Sequence, residues 1–257
     1  LWRSGFPVMM TEIEQPLTVR RSVSLSDAVY EGKITVEDMT ARRAQSRSDI
    51  LKALDDRVIP VIVDPKAEIV NEIETFAVID AIMAKRNIGT HMDDATFVVG
   101  LGPGFTAGVD VHAIVETKRG HTLGRVIRQG SAIPNTGIPG EVKGFGSERV
   151  IRAPGPGVLK GVLSIGTHVE KGDIVAYAGV TPICAPISGM LRGLLHDGIR
   201  VVKGLKSGDV DPRNVQESCW TISDKALAIG GGVLEAVLMA LNSRGEKSFA
   251  SISFGGE

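Results

Sequence analysis

Through the first hundred positions, short apolar runs alternate with polar segments that hold glycine, proline and aspartate. "LWRSGF" reads as the tail of a helix stopped at Gly5, and "VMMT" as a buried strand over 8–11 that ends in an acid, Glu12. "SLSDAVYEG" predicts a short helix capped by Ser26 or Asp27 and ended at Gly32. "SRSDILKALDD" predicts another, with Ser48 or Asp49 as its cap. "VIPVIVDP" is a strand, although Pro60 pushes it towards a sheet edge or a strand start. "TFAVIDAIMAKR" is apolar enough for a buried strand with Asp80 inside it, and "DATFVVGLGPG" is a further strand running into a glycine loop.

After Gly108 the texture changes. Val109, Val111, Ala113 and Val115 alternate with polar neighbours, which favours a strand, and "KRGHTLGRVI" follows as a turn and partner strand. "PNTGIPGEVKGFG" is a Gly/Pro-rich connector. Then the chain repeats itself at an offset of 32 residues, Ala153 falling on Ala185. Ile151, Pro154, Gly157, Leu159, Gly161, Leu163, Gly166, Val169, Lys171 and Gly172 also recur identically at that offset. Each half is too small to bury its own apolar face, so the two should wrap into one β unit. "SDKALAIGGGVLEAVLMAL" closes the chain as a helix, open to a break at Gly230.

This order predicts an α/β plus β protein. A Rossmann-like parallel-sheet domain over 1–108, incomplete at its N-terminus, precedes a β hairpin and connector over 109–149. The duplicated β unit over 150–211 and a helical segment over 212–257 follow. The repeated pattern A-P-x-x-G-x-L-x-G-x-L resembles the biotinyl/lipoyl-type hammerhead, or barrel-sandwich hybrid. The stretch "IVAYAGVTPI" that joins the halves has no lysine, so neither biotin nor lipoate is expected, and a scaffold or docking role is favoured.

Composition narrows the function. A net charge of −1, a pI near 6.6 and 4% aromatic residues argue against nucleic-acid binding. Cys184 and Cys219 form no disulfide framework and show no zinc spacing, though either could be a soft ligand; Cys184 reads as a packing residue. No apolar run approaches the ~20 residues that cross a bilayer, so no membrane contact and a cytoplasmic location are expected. No Gly-x-Ser-x-Gly elbow, Walker loop or His-Glu-x-x-His site occurs, and no metal set is assigned.

Three segments could carry chemistry. Gly100, Gly102 and Gly104 follow a strand, where backbone N–H groups could cradle a phosphate or merely form a turn. Asp110, His112, Glu116, Lys118, Arg119, His121 and Arg125 crowd within sixteen residues. On one strand, Asp110, His112, Ile114 and Glu116 would share a face; such a face moves protons, binds a metal or is simply solvated, with His112, Glu116 and His121 as the acid/base candidates. Asp80, Lys85, Arg86 and Thr90 would stand at the end of a parallel strand, where open α/β sheets bind ligands. Glu12, at another strand end, could hold a ribose hydroxyl or be a surface acid.

Together, "TEIEQPLTVRRSVSLSDAVYEG", "IDAIMAKRNIGT", "VVGLGPGFTAGVDVHAIVETKRGHTLGRVI", "PNTGIPG" and "CWTISDKALAIGGGVLEA" resemble the YqeB-like accessory proteins of selenium-dependent molybdenum hydroxylase systems. The likeness runs from about residue 8 to 240, and the first half also resembles the Rossmann-type domain of xanthine dehydrogenase accessory factors. What it implies is an accessory protein rather than an enzyme, one that binds or delivers molybdopterin or a molybdopterin dinucleotide to a partner molybdenum hydroxylase. An NAD(P)-dependent oxidoreductase or transferase in the same pathway, with His112 or His121 as acid/base, and a pure docking scaffold are the alternatives. The resemblance assigns no catalytic residue and leaves the oligomeric state open.

Overall fold

The computed structural model describes residues 1–137 and 143–243; part of the expected connector lies outside them. In chain order the strands of the first half are β1 (Met10–Glu12), β2 (Lys33–Val36), β3 (Met39–Ala44), β4 (Ile59–Val63), β5 (Ala77–Asp80), β6 (Phe97–Leu101), β7 (Thr106–Ala107), β8 (Ala113–Val115), β9 (Val126–Ile127) and β10 (Gly130–Ser131). The second half adds β11 (Val150–Arg152), β12 (Gly157–Gly161), β13 (His168–Val169), β14 (Ile174–Ala178), β15 (Thr181–Cys184), β16 (Gly189–Leu194), β17 (Arg200–Val201) and β18 (Lys206–Asp211). The helices are α1 (Ala28–Glu31), α2 (Arg47–Asp55) and α3 (Asp224–Ser243), joined by short 3-10 turns. The chain forms two compact units: Trp2–Ile69 with Gly137–Ser223, and Val70–Thr136 with the helix that begins at Asp224. These boundaries cut across the expected division at residue 108.

The predicted fold class is therefore corrected. The parallel strands of the first hundred residues do not share one Rossmann-like sheet. β1, β4 and β3 run parallel beside antiparallel β2 in the first unit. β5, β6 and β8 run parallel beside antiparallel β9 in the second. A doubly wound sheet needs amphipathic helices over both faces, but the links "DPKAEIVNEIE" and "KRNIGTHMDDA" carry no sustained helical stripe and fold into 3-10 turns and loops. The β repeat does not follow as a separate barrel-sandwich domain either. Its core takes in Val19 and Tyr30 from the N-terminal segment, and Leu194 N–H donates to the carbonyl of Val19 at 2.7 Å. The result is a mixed, sheet-rich fold of small sheets with one long terminal helix.

Within the first unit the duplication has a structural counterpart. Strands β11, β12, β13 and β14 recur 32 residues on as β15, β16, β17 and β18. The halves interleave in two four-stranded sheets ordered β11-β18-β16-β13 and β15-β14-β12-β17. Neither half completes a sheet alone, the physical reason for repeating the unit. Gly157 and Gly189 mark where backbones approach closely: a Cβ on Gly157 would lie 2.4 Å from the Ala178 carbonyl carbon, and one on Gly189 2.5 Å from the Asp211 oxygen.

Local readings are refined in several places. The cap of α2 is Ser46, not Ser48 or Asp49: its Oγ accepts from Asp49 N–H at 3.2 Å while the Asp49 carboxylate accepts from Gln45 N–H at 3.0 Å. Pro60 is in a central strand, at its start, where β1 has not yet begun to pair. Helix α3 runs unbroken through its glycines. It is 20 residues long with mean hydropathy 1.6, enough by length and composition to cross a bilayer, which corrects the reading that no apolar stretch comes near that length. Its Gly232, Val233, Ala236 and Val237 face is buried, and Gly232 and Val115 are in close contact. Cys219, not Cys184, is the packing cysteine; Cys184 is exposed.

Charge is buried in the repeat. A register shift between Leu191 and Gly193 places Arg192 where its guanidinium reaches both Asp209 and Asp211 of β18, at 2.5 and 2.8 Å. Arg149 adds a second ion pair to Asp209, and Arg213 one to Asp211 at 2.6 Å. Burial pushes the Asp211 carboxyl up, but the Arg213 hydrogen bonds and the Arg192 and Arg213 charges outweigh it and hold the group at about 2. A depressed carboxyl contributes stability above its ordinary value that is lost as pH falls through the folded one. The unfolding free energy should drop by up to about 2 kcal/mol between pH 4 and 2. Urea titration across that range should show the loss, and Arg192→Met should cost about 3 kcal/mol or more at pH 7.

Candidate functional site

Three parallel strands of the second unit end at one edge, and most of the predicted site residues gather there. Strand β5 delivers Asp80 and then the 81–90 loop with Lys85 and Arg86; β6 delivers Gly100, Gly102 and Gly104; β8 delivers Glu116, Lys118 and Arg119. Arg125, at the start of antiparallel β9, joins them, its carbonyl accepting from Glu116 N–H at 3.0 Å. The others are elsewhere. Asp110 and His112 precede β8 at the opposite end of the sheet, and Glu12 belongs to the other unit, ending β1. Glu12 and the glycines are thus on different sheets and do not form a dinucleotide pair. The Glu12 carboxyl is half-buried and raised by that burial, against a hydrogen bond from Ile13 N–H at 2.6 Å.

The glycine loop is packed rather than open. Gly102 N–H donates to the Val115 carbonyl at 2.9 Å, so this amide is consumed by pairing with β8. A Cβ on Gly100 would lie 2.5 Å from the Phe105 ring, one on Gly102 2.4 Å from Thr117 Oγ1, and one on Gly104 2.6 Å from the Arg86 backbone. Gly102 and Gly104 also have φ of +79° and +116°, which side chains disfavour. Close approach explains all three glycines, and their predicted phosphate cradle of main-chain amides is replaced by contacts to Phe105, Thr117 and Arg86.

The predicted polar face over 110–116 is likewise taken apart. Asp110 accepts from Thr106 N–H at 2.7 Å and closes a turn. His112 Nδ1 accepts from Val98 N–H at 3.0 Å. Glu116 is 1% exposed; Oε1 accepts from Thr117 and Lys118 N–H and Oε2 from Ile133 N–H, each at 2.8 Å. Asp80 is buried too, accepting from Ile82 N–H at 3.0 Å and from the Thr90 hydroxyl at 2.6 Å. Both acids anchor local structure, Asp80 through two donors and Glu116 through three.

What remains on this edge is cationic. Lys85, Arg86, Lys118, Arg119, His121 and Arg125 are exposed. Arg119 forms a two-pronged ion pair with Asp224 at the start of α3, at 2.6 and 2.8 Å. That pairing brings in Lys225, which the sequence reading missed because it lies more than a hundred positions from the loops it joins. Burial lowers the Lys225 ammonium, the charges of Lys85 and Arg119 lower it further, and only Glu116 opposes them. Met83 and Lys85 have φ of 61° and 66°, a left-handed conformation that costs roughly 1 kcal/mol or more each outside glycine and is often held at functional loops. Among the described residues, no group of three or more His, Cys, Asp or Glu side chains could hold a metal ion.

No family model matches the sequence. The chain is 48% identical over 242 residues to "Uncharacterized protein YqeB" of Escherichia coli (strain K12). The match covers 94% of this chain and 45% of that protein, so the chain spans about half the length of the curated relative it matches. Among solved structures, it is similar at 11% identity and TM-score 0.25 to a succinylglutamate desuccinylase/aspartoacylase from Rhodobacter sphaeroides, over 79% of this chain and 84% of that one. The product-bound ectoine utilization protein EutE (DoeB) from Ruegeria pomeroyi gives 8% and 0.25 over the same shares. Likeness at that level carries no activity across.

Two substitutions separate anchoring from binding. Glu116→Gln leaves a buried amide donor facing backbone N–H groups and should cost about 2–3 kcal/mol in urea unfolding. Lys225→Met relieves repulsion and desolvation, and should raise stability at pH 7 by up to about 1 kcal/mol in the same measurement.

Proposed function

We propose that this chain is an accessory protein for maturation of a selenium-dependent molybdenum hydroxylase, and that it binds or delivers the molybdenum–pterin cofactor, as molybdopterin or its dinucleotide, through phosphate. The observation that carries the binding step is the gathering of exposed Lys85, Arg86, Lys118 and Arg125 where parallel β5, β6 and β8 end, and the lowering of Lys225 by burial and by the charges of Lys85 and Arg119 agrees with it. An anionic group placed there offsets the repulsion that lowers Lys225, while the Arg119 fork is taken by Asp224. Lys85 and Lys225 would hold the phosphate, with Arg86, Lys118 and Arg125 as further charges of the same edge. The molybdenum–pterin group supplies the redox chemistry of the partner enzyme; here the chain's residues bind and orient its anionic end. The accessory context rests on the sequence resemblance.

Among the described residues of this edge, Glu116 and Asp80 are engaged by backbone and hydroxyl donors, and His121 is an exposed turn residue. A binding and delivery role therefore accounts for the geometry better than catalysis does. Calorimetric titration with inorganic pyrophosphate should show saturable binding that weakens about tenfold in Lys225→Gln and in Lys85→Glu. Binding that is unaffected by either substitution would remove this site.

A further inference from the structure

The opposite, amino-terminal end of the same sheet holds a cavity of about 320 Å³, within the size range of small-molecule sites. Phe76 just ahead of β5, Phe97 opening β6 and His112 just ahead of β8 line it, with Met239 and Ala240 of α3, and Arg128. Its walls are unlike the cationic edge. Phe97 and His112 present tilted rings 5.5 Å apart, and Met239 adds a polarizable thioether on a partly exposed side chain.

Two polar groups give the cavity direction. Because His112 Nδ1 accepts the Val98 N–H, the neutral imidazole carries its proton on Nε2. That N–H has no partner among the described residues. Arg128 is exposed and likewise has none among them, so its charge is available to a ligand. A purely apolar guest would satisfy neither.

We infer that this cavity binds a planar nitrogen heterocycle carrying an anionic substituent. The ring lies against the phenylalanines, a ring nitrogen or carbonyl accepts from His112 Nε2–H, and the substituent pairs with Arg128. This inference is independent of the phosphate edge, which shares none of these residues. A pterin and a purine nucleotide both offer that chemistry, and two probes distinguish them: pterin-6-carboxylate and guanosine 5′-monophosphate, titrated calorimetrically into the full chain. At least one should saturate below about 1 mM. Arg128→Gln, at an exposed position, should weaken that probe about tenfold while leaving its uncharged parent, pterin or guanosine, unchanged. Ala240→Phe, checked for folding by circular dichroism, should fill the cavity and abolish binding of both. Lys225→Gln should have no effect here, whatever it does to pyrophosphate. Failure of both probes to saturate, binding indifferent to Arg128→Gln, or loss of binding in Lys225→Gln would overturn the assignment.

Discussion

A single carboxylate, Glu116, organises the second unit. An ionised side chain removed from water is tolerated only when its lone pairs are met, and here three backbone amides meet them. The consequence is geometric. The chain beyond β8 must turn at Thr117 and Lys118, return through Arg125, and lie within reach of Ile133. Residues 118–121 are left exposed, with Arg119 placed on Asp224 and α3 drawn against Gly124 and Val115. Without that buried charge nothing in the apolar packing of Val98, Val111 and Ile114 would fix where those cations stand.

The other unit uses buried charge in a comparable way. Arg192, displaced by an irregularity in strand pairing, ties Asp209 to Asp211 across β16 and β18, while Arg149 and Arg213 close the outer sides. The Arg149 and Arg192 pairs are shielded from solvent, where removing one partner is costly, while the Arg213 side chain is partly exposed. They lock the register of strands drawn from the second half of the repeat, and the first half supplies the flanking β11 and β13. The N-terminal segment then completes the core through Val19 and Tyr30. Duplication thus supplies the strands, and a non-duplicated segment supplies the closure.

In the second unit, the two ends of the parallel strands differ in chemistry. The carboxyl ends of β5, β6 and β8 collect cations whose repulsion is incompletely offset, while the amino ends open a ring-lined cavity with one oriented donor.

Residue order alone determined a good deal. The 32-residue offset already implied paired β halves, since identities at Gly157, Leu159 and Gly161 mark equivalent bends and core positions. The apolar runs located β4, β5, β6 and β8, and Gly32 ended its helix as read. Three things lay beyond it. Which strands share a sheet depends on pairing between distant segments, and β4 and β6 are equally apolar although they lie in different units. An acid that alternates with valines reads the same whether it faces water or, like Glu116, is sealed among amides. A glycine required for close approach, as Gly102 is against Thr117, has the same spelling as one that cradles phosphate. Only tertiary structure decided these, because burial, amide pairing and the Arg119–Asp224 ion pair arise between residues that are neighbours in space and distant along the chain.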